Sequence, residues 1–235
     1  MRSMAGSTQF RLAFAALAVV LGSDDGTADP QHPYRTPASV CIALTVKDDL
    51  SGPAFTTLRA EATRIWLSHG VALTWTQPAP VICNTLVPMV FDDARVRALA
   101  GPKRKGAMAL TEFSGRSRII YVSAPSAFRL LSAPRAHPAL MSEGEWSHRG
   151  GILIGRVVAH ELGHVLLETT AHSTRGLMRP VFGVNDALSA DEQATTLTEF
   201  ETSRLATRFS LVPMDPSRTP DVLATTSWPP ASASR

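Results

Sequence analysis

The sequence predicts a mixed α/β (α+β) domain. It would have a twisted mixed sheet with an antiparallel edge strand, one long helix carrying the candidate chemistry, and a C-terminal helix. Three observations predict this. Residues 40–76 read as strand, helix, strand, the order of a parallel crossover unit. Two apolar runs meeting at Ser114-Gly115 read as an antiparallel hairpin at the sheet edge. Residues 152–167 are apolar, free of proline and long enough for a buried helix, and they include two histidines four apart.

Taken in order, residues 29–38 are rich in proline and polar groups and read as a mobile lead-in. Residues 40–46 alternate and are β-branched, as a strand requires. Phe55, Leu58, Ala62, Ile65 and Trp66 fall at helical spacing, and Gly70 reads as the C-cap of that helix. Residues 71–76 and 86–91 read as strands, the latter interrupted by Pro88. Residues 106–113 and 118–123 form the expected hairpin. A looser stretch with Pro125, Pro134, Pro138 and Gly150-Gly151 then precedes the long helix. Ser189-Ala190-Asp191-Glu192 has the N-cap and acidic first turn of a helix running to about Phe209.

The chain has 235 residues, enough for one domain with a proper core. Arg2 and Arg11 precede an apolar run over residues 12–21, followed by small and acidic residues. That layout is a signal peptide, too short for a stable membrane anchor. It suggests three segments: a leader over 1–28, a catalytic domain over 29–212 and a disordered tail over 213–235. The product would be secreted or periplasmic, with no membrane anchor once the leader is removed. The formal net charge of +3 is unchanged by that removal, because two arginines and two aspartates leave together. The one dense basic run, Lys103-Arg104-Lys105, reads as a solvated loop, and aromatics make up only 6% of the chain, so nucleic acid is not an expected partner. The two cysteines, Cys41 and Cys83, read as one disulfide in an exported chain; two buried thiols are the alternative.

The chemistry is concentrated in His160-Glu161-Leu162-Gly163-His164. Residues four apart on a helix lie one above the other, so both imidazoles can reach one metal ion. Glu161 lies beside them, where a carboxylate can reach water on that metal, as in zinc hydrolases. A catalytic zinc takes three protein ligands and keeps a fourth position open. His172 is the candidate third ligand. On a continuous helix it would lie about 12 Å beyond His164, so it can serve only if the helix breaks between Leu167 and His172. Glu192, Glu199 and Glu201 are the alternative source of a third ligand. His32, His69, His137 and His148 lack ligand spacing and are read as surface or structural residues.

With Gly176-Leu177-Met178 and Pro180 following His172-Ser173, these residues resemble the metzincin clan of zinc metalloproteases. They are similar both to matrix-metalloprotease-like domains and to small exported bacterial proteins with a longer gap before the third histidine. Two features depart from the clan pattern. Leu167 stands where the clan has glycine, and the third histidine comes two residues late. The resemblance implies a metzincin-like fold with His160, His164 and His172 as zinc ligands, Glu161 as general base and Met178 in a turn beneath the metal. It further implies that the edge strand pairs with an extended peptide substrate, and that residues 179–186 wall the pocket beyond the scissile bond.

The expectation is a secreted, monomeric zinc endopeptidase acting on peptide or protein, without a folded pro-domain. The alternatives are a zinc-dependent hydrolase of a non-peptide amide and a non-catalytic zinc-stabilised binding module. Glu161 argues against the last, since a structural site has no need of a carboxylate there.

Overall fold

A computed structural model describes residues 37–48, 50–76, 83, 85–104, 106–132, 141–180, 189 and 192–210. All belong to the unit Thr36–Arg235. The expected leader and tail lie outside the described residues.

Five strands form one sheet: β1 (Ala38–Val46), β2 (Val71–Thr76), β3 (Thr85–Phe91), β4 (Ala109–Ser114) and β5 (Ser117–Val122), in the order β2-β1-β3-β5-β4. β1 pairs in parallel with β2 and β3, and β3 in parallel with β5; only β4 runs antiparallel, at the edge. The expected mixed sheet with an antiparallel edge is therefore present. β1 lies between β2 and β3, and Val40 and Ile42 on it are fully buried. Pro88 is accommodated within β3. The hairpin turns at Gly115-Arg116, one residue later than expected, with Gly115 at φ 57.

Helix α1 (Gly52–Ser68) crosses from β1 to β2, capped by the Ser51 hydroxyl. Its C-cap is His69, and Gly70, expected in that role, follows at φ 77, the left-handed conformation glycine adopts without strain. Two short helices were not expected: α2 (Asp93–Ala100), capped by Asp92, and α3 (Ala124–Leu131), capped by Ser123. Pro125 had suggested a loop, but it occupies the first turn of α3, where a missing N–H costs nothing.

Helix α4 (Glu143–Leu166) begins nine residues before the expected start. Gly150 and Gly151 suggested a break; they are instead where neighbouring elements come closest. A β-carbon at Gly151 would lie 2.7 Å from the Ala54 carbonyl oxygen, and one at Gly155 would lie 2.8 Å from that of Leu58. Glycine thus lets α1 and α4 approach backbone to backbone. Leu58, Ile65 and Trp66 on α1 meet Leu153, Ile154, Val158 and Leu162 on α4 in the core, and the Trp66 indole donates to the Ala159 carbonyl at 3.1 Å. The helix expected from Ser189 to Phe209 is two pieces: a 3-10 turn at Glu192–Thr195 and α5 (Glu199–Phe209). Thr198 and Glu201 form a reciprocal capping box that starts α5 afresh.

Cys41 on β1 and Cys83 just before β3 form a disulfide, with Cα atoms 5.9 Å apart. Such a bond belongs to an oxidising environment. Among the described residues, no helix is long and apolar enough to cross a membrane.

Candidate metal centre

The apolar sequence of α4 buries its last three turns, and with them His160, Glu161 and His164, each no more than 7% exposed. A buried polar ring needs a partner. His160 Nδ1 lies 2.8 Å from the Leu177 carbonyl oxygen, and His164 Nδ1 lies 2.8 Å from that of Thr169. A carbonyl only accepts, so both Nδ1 atoms carry the proton and both Nε2 atoms present lone pairs.

The break required after Leu167 is present. Helix α4 ends at Leu166, and Glu168 takes φ 48, a left-handed conformation unusual for a residue other than glycine. The end of α4 is satisfied from α5. Arg208 donates to the Val165 and Leu166 carbonyls at 2.8 and 2.9 Å, and Arg204 donates to the Glu168 carbonyl at 3.0 Å. The half-exposed Glu168 carboxylate lies 3.4 Å from Arg208 and 3.7 Å from Arg118. With the chain reversed there, His172 returns to the two buried rings. Its centroid is 5.3 Å from that of His160 and 4.8 Å from that of His164.

Candidate ligand atoms of His160, His164 and His172 all lie within 4.8 Å of one another. The two buried Nε2 atoms are 3.1 Å apart. Two imidazole lone pairs facing each other at that distance repel unless a cation stands between them. The spacing also suits two donors on one tetrahedral ion with bonds of about 2.0–2.1 Å, which would be about 3.3 Å apart. Burial pushes the proton affinity of all three rings below the ordinary histidine value, that of His160 to about 4. The rings stay neutral, as ligation requires. The three histidines can therefore hold a metal ion. Glu192, Glu199 and Glu201 form no part of this group; the Glu201 carboxylate instead accepts bonds from the Ser173 hydroxyl and the Thr198 amide.

Glu161 is held by an interaction the sequence did not reveal. The Thr111 hydroxyl, in the middle of β4, donates to its carboxylate at 2.7 Å. Burial pushes the Glu161 carboxyl up to about 7, against the opposing influence of that hydrogen bond and of the Arg104 guanidinium. No local signal marks Thr111, which is fifty residues away in sequence. Only the hairpin as a whole was identifiable.

Met178 is buried in the turn after His172, and its thioether fills the space a β-carbon on Gly163 would need. The glycine between His160 and His164 is thus where the methionine seats. The turn is tied down by the Ser173 amide on the Met178 carbonyl at 2.8 Å and the Leu177 amide on the Thr196 carbonyl at 2.8 Å. Elsewhere His69 bonds the Thr195 carbonyl oxygen at 3.1 Å and His148 is exposed, both consistent with non-ligand roles. His32, His137 and most of residues 179–186 lie outside the described residues.

No protein-family model matches this chain, and no curated protein matches it.

Proposed function

We propose that this protein is an exported zinc-dependent endopeptidase of the metzincin type. The observation that carries the reading is three imidazoles converging beside a buried carboxylate that is anchored to the free edge of a sheet. A structural site needs no such carboxylate and tends to take a fourth protein ligand; among the described residues the cluster has three.

His160, His164 and His172 would hold the zinc ion, their orientation fixed for the two buried rings by the Leu177 and Thr169 carbonyls. A zinc ion held by these residues would supply a water acidified towards neutrality and a positive charge to polarise the substrate carbonyl. Glu161 takes the proton from the attacking water and returns it to the leaving amine. Its proton affinity, near neutrality, suits a group that must both accept and release at physiological pH. Thr111 keeps the carboxylate aimed. Among the described residues the outer edge of β4 pairs with no strand, and an extended peptide can bind there as a further strand. Met178 forms an apolar floor against Gly163. The Cys41–Cys83 disulfide and the leader-like N-terminus support export.

The test measures zinc content and casein or gelatin cleavage for the wild type, Glu161→Ala and His172→Ala. Glu161→Ala is expected to keep zinc and lose turnover; His172→Ala is expected to lose both. Zinc without cleavage of any denatured protein would favour a non-peptide amide substrate or a non-catalytic module.

A further inference from the structure

A cavity of about 380 Å³ lies between α2, α3 and the segment leading into β4, the strand that carries Thr111. Its walls include apolar atoms of Val96, Ala100 and Ala107, and the side chains of Arg97, Arg104 and Arg129 also line it. Arg97 and Arg129 share a single carboxylate, Asp93, at 3.0 and 3.6 Å, which leaves one of their two charges unbalanced. Arg104 is exposed on the turn at Pro102–Arg104, where its main chain bonds Gly101 and Ala107, and its guanidinium makes no ion pair among the described residues. Two cations' worth of positive charge therefore faces a pocket whose walls suit methylene groups.

We propose that this cavity is a carboxylate-recognising subsite, in which Arg104, supported by Arg97 and Arg129, binds an acidic group of an extended substrate about four residues from the bond to be cleaved. The inference rests on the peptidase reading and names the substrate class that reading leaves open. The register follows from the edge strand. Ala107 lines the cavity, and Thr111, four residues on, bonds Glu161. Four residues of extended chain span ~13 Å. A peptide lying along β4 with its reactive bond at Glu161 thus brings a residue about four positions away to the arginines. Arginine suits the task because its planar guanidinium grips both oxygens of a carboxylate and is always charged. The basic run Lys103-Arg104-Lys105 thereby acquires a role beyond solvation.

The test uses purified zinc-loaded protein and a random peptide library, with cleavage products sequenced by mass spectrometry to fix the register. Matched end-blocked peptides then differ only by Glu, Gln or Lys at the fourth position. A fourth peptide is truncated so that its free terminal carboxylate falls there. Binding of the same peptides to zinc-loaded Glu161→Ala, read by fluorescence anisotropy, reports recognition without turnover. The expected result is a roughly tenfold preference in kcat/KM and in affinity for Glu over Gln, abolished by Arg104→Ala and reversed towards Lys-bearing peptides by Arg104→Glu. Preference for the truncated peptide over the internal Glu would identify the carboxylate as a chain terminus. Equal treatment of Glu and Gln by the wild type, or a preference unchanged in Arg104→Glu, overturns the subsite. Selective binding without cleavage would retain the subsite and discard the peptidase reading. Neither binding nor cleavage would discard both.

Discussion

The hydroxyl of Thr111 stands 2.7 Å from the Glu161 carboxylate and 3.2 Å from the carbonyl oxygen of the same residue. Both of those oxygens only accept, so the single hydroxyl proton goes to the nearer one and fastens the edge strand to the acid on the helix. The bond favours the ionised form of Glu161, while burial favours the protonated form and prevails. Thr111→Val keeps the shape and removes the donor. A hydrogen bond to a charged group contributes about 1.5–3 kcal/mol, so roughly a tenfold or greater fall in kcat/KM at neutral pH is expected. The acid limb of the pH–rate profile should move to higher pH, with zinc content unchanged. A profile that stays in place would show that Thr111 does not tune Glu161.

The left-handed backbone at Glu168 should make this position tolerant of glycine and intolerant of branching. Relief of the left-handed conformation is worth about 1–2 kcal/mol, and the half-exposed pairs with Arg118 and Arg208 offset at most about 1 kcal/mol of that. Glu168→Gly is therefore expected to be neutral or stabilising by up to about 2 kcal/mol. Glu168→Val should destabilise by about 1–2 kcal/mol and weaken zinc binding, because the reversal at 168 places the Thr169 carbonyl against His164. Urea denaturation and competitive zinc titration of both variants give the answer.

Metal-free protein should show opposing pH effects from neighbouring residues. His160 ionises at about 4 in the native state. As pH falls from about 6.5 to 4 the unfolded chain takes that proton first, and stability is lost across this window. His164 and His172 are shifted in the same direction. Glu161, raised to about 7, acts in the opposite sense. Its contribution is present in full below about 4.5 and is lost as pH rises through 7. Glu161→Gln removes that compensation, so its stability in chelator should fall more steeply on acidification than that of the wild type. Denaturation curves between pH 4 and 7 that run parallel for the two proteins would contradict this.

The Cys41–Cys83 bond closes a loop with a sequence separation of 42. In the chain-entropy model such a closure stabilises by about 4 kcal/mol. The double variant Cys41→Ala/Cys83→Ala should melt about 10 °C lower, by calorimetry, for a domain of this size. Zinc stoichiometry should remain that of the wild type, because neither cysteine belongs to the histidine cluster.

Periodicity made much of the fold legible. The strand–helix–strand unit, the hairpin and the core of α4 appear within a few residues of where alternation and helical spacing put them. Punctuation was misleading where tertiary contacts reverse its meaning. Gly150 and Gly151 read as a break, yet they are the small residues that let α4 meet Phe128 and α1. Pro125 read as a loop, yet it sits at a helix start. The missing glycine after His164 left the helix break without a visible cause. Its cause lies in α5, where Arg208 and Arg204 satisfy the carbonyls that a local cap would otherwise leave bare.

What the sequence determined by itself is the relation among His160, Glu161 and His164, because a helix repeats every 3.6 residues and fixes which side chains share a face. What only the tertiary structure decided is the return of His172, the hold of Thr111 on Glu161 and the gathering of Arg97, Arg104 and Arg129 around one cavity. Those groups are joined by how the helices and the sheet edge pack, and no local spacing encodes the meeting of residues tens of positions apart.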